Sequence, residues 1–159
     1  MRARIATFVV ALVGLSATGT APKAEEAKPV DGTAAFTGVW IPQSSVFDGK
    51  EQLPDKASRE MIRLSIENGE YKLYYLTDPA KLLGRRLSVA DFSVDSKAGT
   101  FELVHKDGIK KGAKLHGIFE LTKTTLKICY CPADKPRPTK FDAPAGSDAF
   151  CDVWERYKK

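Results

Sequence analysis

The stretch 62–75 constrains the fold more than any other part of this chain. Ile62, Leu64 and Ile66 alternate with Arg63, Ser65 and Glu67; Tyr71, Leu73 and Tyr75 then alternate with Lys72 and Tyr74. A period of two marks half-buried strands and excludes an amphipathic helix. Between the two runs stands Asn68-Gly69. Both residues tolerate positive φ, which a type I′ turn between antiparallel strands requires. The segment therefore predicts a tight hairpin.

The same period recurs to the end of the chain. A first short strand is expected over 36–41, stopped by Pro42. Residues 42–58 are turn-rich, and 55–60 suit one helical turn. Residues 85–94 carry Leu87, Val89, Phe92 and Val94. Their phase slips between Val89 and Phe92, which predicts a β-bulge near Ala90-Asp91. Strands are expected over 101–105, 115–121 and 126–130, the first two joined by a basic turn at 106–112. Residues 132–148 hold four prolines, a spacing that neither a helix nor an inner strand survives. A last strand is expected over 149–157. About eight antiparallel strands in succession, without long helices, exclude βαβ architecture. Sequential hairpins favour an up-and-down barrel over a sandwich. Such a barrel holds packed side chains or one small ligand.

The N-terminus carries a different signal. Arg2 and Arg4 precede an apolar run of about eleven residues, and small and polar residues follow. That order describes a secretory signal peptide. The run is short of the roughly 20 residues a spanning helix needs, so the mature chain is expected to lack a transmembrane segment. Cleavage after Ala17, Ala21 or Ala24 fits; taking Ala21, residues 1–21 form the signal, 22–35 a flexible leader and 36–159 a single domain. The expected location is periplasmic or extracellular. Removing Arg2 and Arg4 lowers the formal net charge from +5 to +3. Little positive charge then remains to suggest nucleic acid, and no nucleic-acid partner is expected.

Export also bears on Cys129, Cys131 and Cys151. Oxidising conditions favour disulfides. Cys129 and Cys131 lie two apart on one strand, about 7 Å between Cα atoms, which strains a direct bond. Cys151 lies on the following strand. A Cys131–Cys151 bridge is expected, or Cys129–Cys151 in another register.

Catalytic signatures are missing: there is no G-x-S-x-G, no H-E-x-x-H, no phosphate-cradling loop and no dinucleotide fingerprint. Neither a cofactor nor an enzymatic activity is expected. His105 and His116 lack a third ligand nearby, so no metal site is expected either. Lys106, Lys110, Lys111 and Lys114 read as a solvated turn. Arg137, in the long loop, is expected to stitch that loop to backbone carbonyls or to Asp142. In a hollow barrel, Tyr71, Leu73, Tyr75, Phe101, Leu103, Phe119 and Tyr130 are the expected lining.

Gly38-Val39-Trp40 resembles the G-x-W that opens the lipocalins, in which an arginine near the final strand stacks on the tryptophan. The resemblance implies Arg156 for that role, with Arg137 second. Gly117-Ile118-Phe119-Glu120-Leu121, Leu126-Lys127-Ile128-Cys129 and Arg137-Pro138-Thr139-Lys140-Phe141 follow in order. Together with Gly38, Trp40 and Asp48-Gly49, they resemble an uncharacterised lipocalin-like domain family of exported planctomycete proteins, over about residues 36–157. Phe119 stands where that family usually has tyrosine, and Cys131 and Cys151 lie outside its pattern. The resemblance implies a lipocalin-like fold and brings no established activity. The expected function is binding of a small apolar or amphipathic molecule. The alternative is a packed barrel that contacts an envelope protein partner.

Overall fold

The computed structural model describes residues 32–158; the expected signal peptide and residues 22–31 of the expected leader lie outside the described residues. The fold is a closed, all-β, antiparallel up-and-down barrel of eight strands with one short extra strand. The strands are β1 (Gly38–Phe47), β2 (Lys50–Glu51), β3 (Ile62–Glu67), β4 (Glu70–Tyr75), β5 (Arg85–Asp95), β6 (Thr100–His105), β7 (Lys114–Leu121), β8 (Thr125–Pro132) and β9 (Phe150–Arg156). Each neighbours the next, β2 lies outside the ring, and β1 pairs with β9 to close it.

The β3–β4 hairpin forms as its sequence demands. Glu67 pairs with Glu70, and Asn68 and Gly69 both have positive φ. Asp48 and Gly49 repeat that conformation between β1 and β2. The helical turn is α1 (Lys56–Glu60), capped by the Asp55 carboxylate accepting from the Ser58 N–H at 2.8 Å.

Three details depart from expectation. The chain is already ordered before residue 36: a 3₁₀ turn, Thr33–Phe36, precedes β1 and buries Phe36. Pro42 does not stop β1. The ladder to β3 ends at Trp40, and the register against β9 shifts between Pro42 and Ser44, so the strand bends past the missing donor and continues. The bulge in β5 lies at Leu87, between the Ser88–Leu73 and Arg86–Tyr74 pairs. Residues 90–95 pair with β6 without interruption. Val89 breaks the apolar phase for another reason: it faces outward and is buried beneath the basic turn, where Lys106 donates to its carbonyl and Asp107 accepts from its N–H.

The barrel interior is filled at one end. Phe36, Trp40, Leu64, Ile66, Phe92, Phe101, Leu126 and Ile128 form its densest part. Gly38 explains the G-x-W spacing. Its φ is +144°, and a Cβ there would stand 2.9 Å from a terminal nitrogen of Arg156. That guanidinium lies 4.1 Å over the Trp40 ring and donates to the carbonyls of Ala35, Thr37 and Lys123. A small second core lies outside the barrel, where the long loop covers Cys131, Ala143 and Ala149.

Candidate functional site

At the other end the interior opens into a pocket of about 230 Å³, lined by Ser45, Gln52, Leu53, Ile62, Tyr71, Leu73, Tyr130, Phe150, Asp152 and Trp154. The strands explain most of this lining. Phe150, Asp152 and Trp154 share one phase of β9 and point inward; Tyr130 does so from β8, and Tyr71 and Leu73 from β4. Gln52 and Leu53 reach the mouth because β1 turns at Asp48-Gly49 and folds back on itself.

Asp152 is the polar centre of the pocket and is only 3% exposed. Ser45 Oγ donates to its Oδ1 at 2.7 Å, and the Tyr130 hydroxyl donates to Oδ2 at 3.0 Å. None of the ion pairs among the described residues includes it. Burial raises its pKa to about 6, against the opposing pull of the two hydroxyl donors. Burial likewise pushes the Tyr71 and Tyr130 phenols well above their ordinary value, with the Asp152 charge adding to it, so both stay protonated. A carboxylate held this way remains expensive, because two neutral donors do not replace its hydration. Trp154 adds a second unsatisfied group: its indole N–H is buried and has no acceptor among the described residues.

The residues expected to line a hollow barrel divide three ways. Tyr71, Leu73 and Tyr130 line the pocket. Phe101, Leu103 and Phe119 belong to the packed interior instead, with Phe119 edge-on to Phe36 at 4.9 Å. Phe36 accounts for this at Phe119, and Phe101 packs between Phe92 and Tyr130. Tyr75 is 40% exposed and borders a shallow groove beside α1, outside the pocket. Asp152, Ser45 and Trp154 were missed as lining. The available signal was Phe150-x-Asp152-x-Trp154, an acidic residue on the apolar phase of a strand.

The cysteines are all free, which corrects the expected disulfide. Cys129 is the direct partner of Cys151 across β8 and β9, the two thiols are not bridged, and the Cys129 thiol donates to the Asp142 carbonyl at 3.2 Å. The neighbouring thiols act on each other in opposite directions, Cys129 held below its ordinary pKa and Cys151 pushed well above. Cys131 lies past the last β8–β9 pair, Tyr130 with Phe150, and its thiol donates to the Pro136 carbonyl at 3.3 Å. It therefore does not face Cys151.

Arg137 donates to the carbonyls of Phe101 and Gly117 and pairs with Glu102 at 3.3 Å, which pins the long loop to β6 and β7. Gly117 itself is required by its strand neighbours, since a Cβ there would strike the Cys129 carbonyl oxygen, the Phe101 ring and the Tyr130 side chain. His116 lies opposite Glu102, out of register with His105, and meets the Lys135 carbonyl at 2.9 Å. Among the described residues no group of His, Cys, Asp and Glu side chains gathers as metal ligands, and no helix is long and apolar enough to cross a membrane. A second pocket, of about 200 Å³, lies in the proline-rich loop outside the barrel. Comparison with known proteins adds no family to this geometry: no family model and no curated protein matches the chain.

Proposed function

We propose that this protein is an exported, lipocalin-like barrel that binds one small amphipathic molecule in the pocket at its open end, and that its activity is binding rather than catalysis. The observation that carries this reading is the asymmetry of the interior. One end is closed by Phe36, Trp40 and Arg156, while the other keeps about 230 Å³ lined by four aromatic side chains and a few convergent polar groups. Small-molecule sites have that composition. The volume is below the roughly 300–1,000 Å³ of drug-sized sites, so the occupant is small. The signal-like N-terminus and the resemblance to exported planctomycete proteins support a place outside the cytoplasm.

Native mass spectrometry of the protein purified from its own cell envelope tests this reading. A small molecule that co-purifies and is lost on filling the pocket with Leu73→Trp supports it. A protein that carries no small molecule and whose Leu73→Trp variant is indistinguishable from it overturns it.

A second reading has its own observation. Tyr75, Leu82, Leu83 and Leu87 are exposed large apolar side chains around the β4–β5 connection. Exposed apolar clusters mark interaction surfaces, and here an envelope protein would be the partner. Loss of a co-purifying protein in Leu83→Glu, with small-molecule content unchanged, would favour that reading.

A further inference from the structure

We propose that the pocket selects an organic cation, a small primary or secondary amine with an apolar body, whose ammonium group pairs with Asp152. This rests on the binding reading above and names the ligand class for the same pocket. Three observations converge on it. Asp152 is a buried carboxylate with two neutral donors and, among the described residues, no cationic partner. Breaking or omitting the partner of a buried charge is strongly unfavourable, so the site is arranged for a positive charge that none of the described residues supplies. The walls around that carboxylate are the rings of Tyr71, Tyr130, Phe150 and Trp154. Aromatic faces attract cations, most strongly where water is excluded, and they also cover the apolar part of such a ligand. Finally, the acidic character extends toward the mouth. Glu51 on β2 acts on Asp152 as a like charge, and a cationic ligand relieves that repulsion on entry.

Other ligand classes fit less well. An anion would face Asp152 and Glu51 together. A purely apolar molecule would leave the carboxylate buried more deeply and still unpaired. A neutral alcohol could donate to Asp152 but would bring no charge to offset its desolvation.

Three molecules of one shape and different charge separate these cases: 2-phenylethylamine, 2-phenylethanol and phenylacetate. Their binding is measured on the full-length mature protein at pH 7.5 by calorimetry, and by NMR of the two indole N–H signals. The Trp40 N–H is held by the Phe36 carbonyl at 3.0 Å and should stay fixed. The Trp154 signal, inside the pocket wall, should move. The amine should bind about tenfold or more tighter than the alcohol, a difference of about 1.4 kcal/mol, and phenylacetate should bind least. Asp152→Asn should bring the amine and the alcohol to within about twofold. Should that variant fail to fold, the unaltered protein below pH 5 serves instead. There the carboxyl is protonated while Tyr71 and Tyr130 remain neutral, and the preference should collapse.

Equal or tighter binding of the alcohol, with the Trp154 signal moving, overturns selection by charge and leaves the pocket as a binder. Silence of the Trp154 signal to all three at millimolar concentration also overturns it. The binding reading then stands or falls separately, on whether a neutral small molecule co-purifies from the envelope.

Discussion

The barrel contains two buried tryptophans, one in its closed end and one in the pocket wall, and treats them in opposite ways. Trp40 sits at the closed end with its N–H donated to the Phe36 carbonyl and its ring covered by Arg156. That guanidinium has three backbone carbonyls of its own as acceptors. Trp154 lies in the pocket wall with an N–H that meets no acceptor among the described residues, beside a carboxylate that meets only hydroxyls. The same core thus satisfies the polar groups around Trp40 and leaves those around Trp154 short. Complete pairing is what stability selects for. The incomplete pairing around Trp154 lies beside the cavity, among the groups that line it.

The comparison breaks most visibly at Trp40. Trp40→Ala removes the plug, its hydrogen bond and the stacked arginine together, and should cost about 3–5 kcal/mol in urea unfolding. A loss under about 1 kcal/mol would mean that the closed end does not hold the barrel.

Asp152 sharpens the contrast through pH. Its folded pKa, about 6, lies above the ordinary 3.8, so the folded state binds the proton more tightly than the unfolded state does. Its contribution is fully present below about pH 4 and is lost as pH rises through about 6. Ionisation should cost roughly 3 kcal/mol at pH 7.5. Asp152→Asn should therefore raise the melting temperature at pH 7.5 and leave it nearly unchanged at pH 4. A variant destabilised equally at both values would make the carboxylate a structural group.

The smallest effect comes from matched changes to phenylalanine. Trp40→Phe loses a hydrogen bond, orphans the Phe36 carbonyl and weakens the arginine stack. Trp154→Phe removes an N–H that was already unpaired. The first should be less stable than the second by about 1–2 kcal/mol. Equal values would show that both indoles are solvated alike.

The barrel was legible because its information is local. Alternation at Ile62, Leu64 and Ile66 and the Asn68-Gly69 turn specify a hairpin without reference to the rest of the chain, and seven similar segments in succession leave few topologies. Trp40 and Arg156 could be paired from a resemblance, since both sit at chain positions with fixed spacing. The pocket was less legible because its contents depend on distant segments. Phe101, Leu103 and Phe119 have the right phase to line a cavity, but Phe36 arrives from the 3₁₀ turn to pack on Phe119, and Phe101 packs between Phe92 and Tyr130. Ser45, Gln52 and Leu53 enter through a fold-back in a stretch that reads only as turns. Pro42 and Leu87 show the same limit at the level of the strand: a register shift depends on the partner, which periodicity alone does not name. Asp152 is the exception, since its place on the apolar phase of β9 is visible in the sequence.

The β1–β9 seam also governs when the molecule can exist. Ser45 and Asp152 are 107 residues apart in the chain, while most other strand pairs join neighbouring hairpins. Contacts of such long sequence separation form late and slowly. The central hairpins can assemble as they emerge, but the ring stays an open sheet with two unpaired edges until the last strand arrives. A chain lacking only its final dozen residues would lose closure, plug and pocket floor in one step. Closure of the barrel and formation of the pocket therefore depend on one step, the docking of β9.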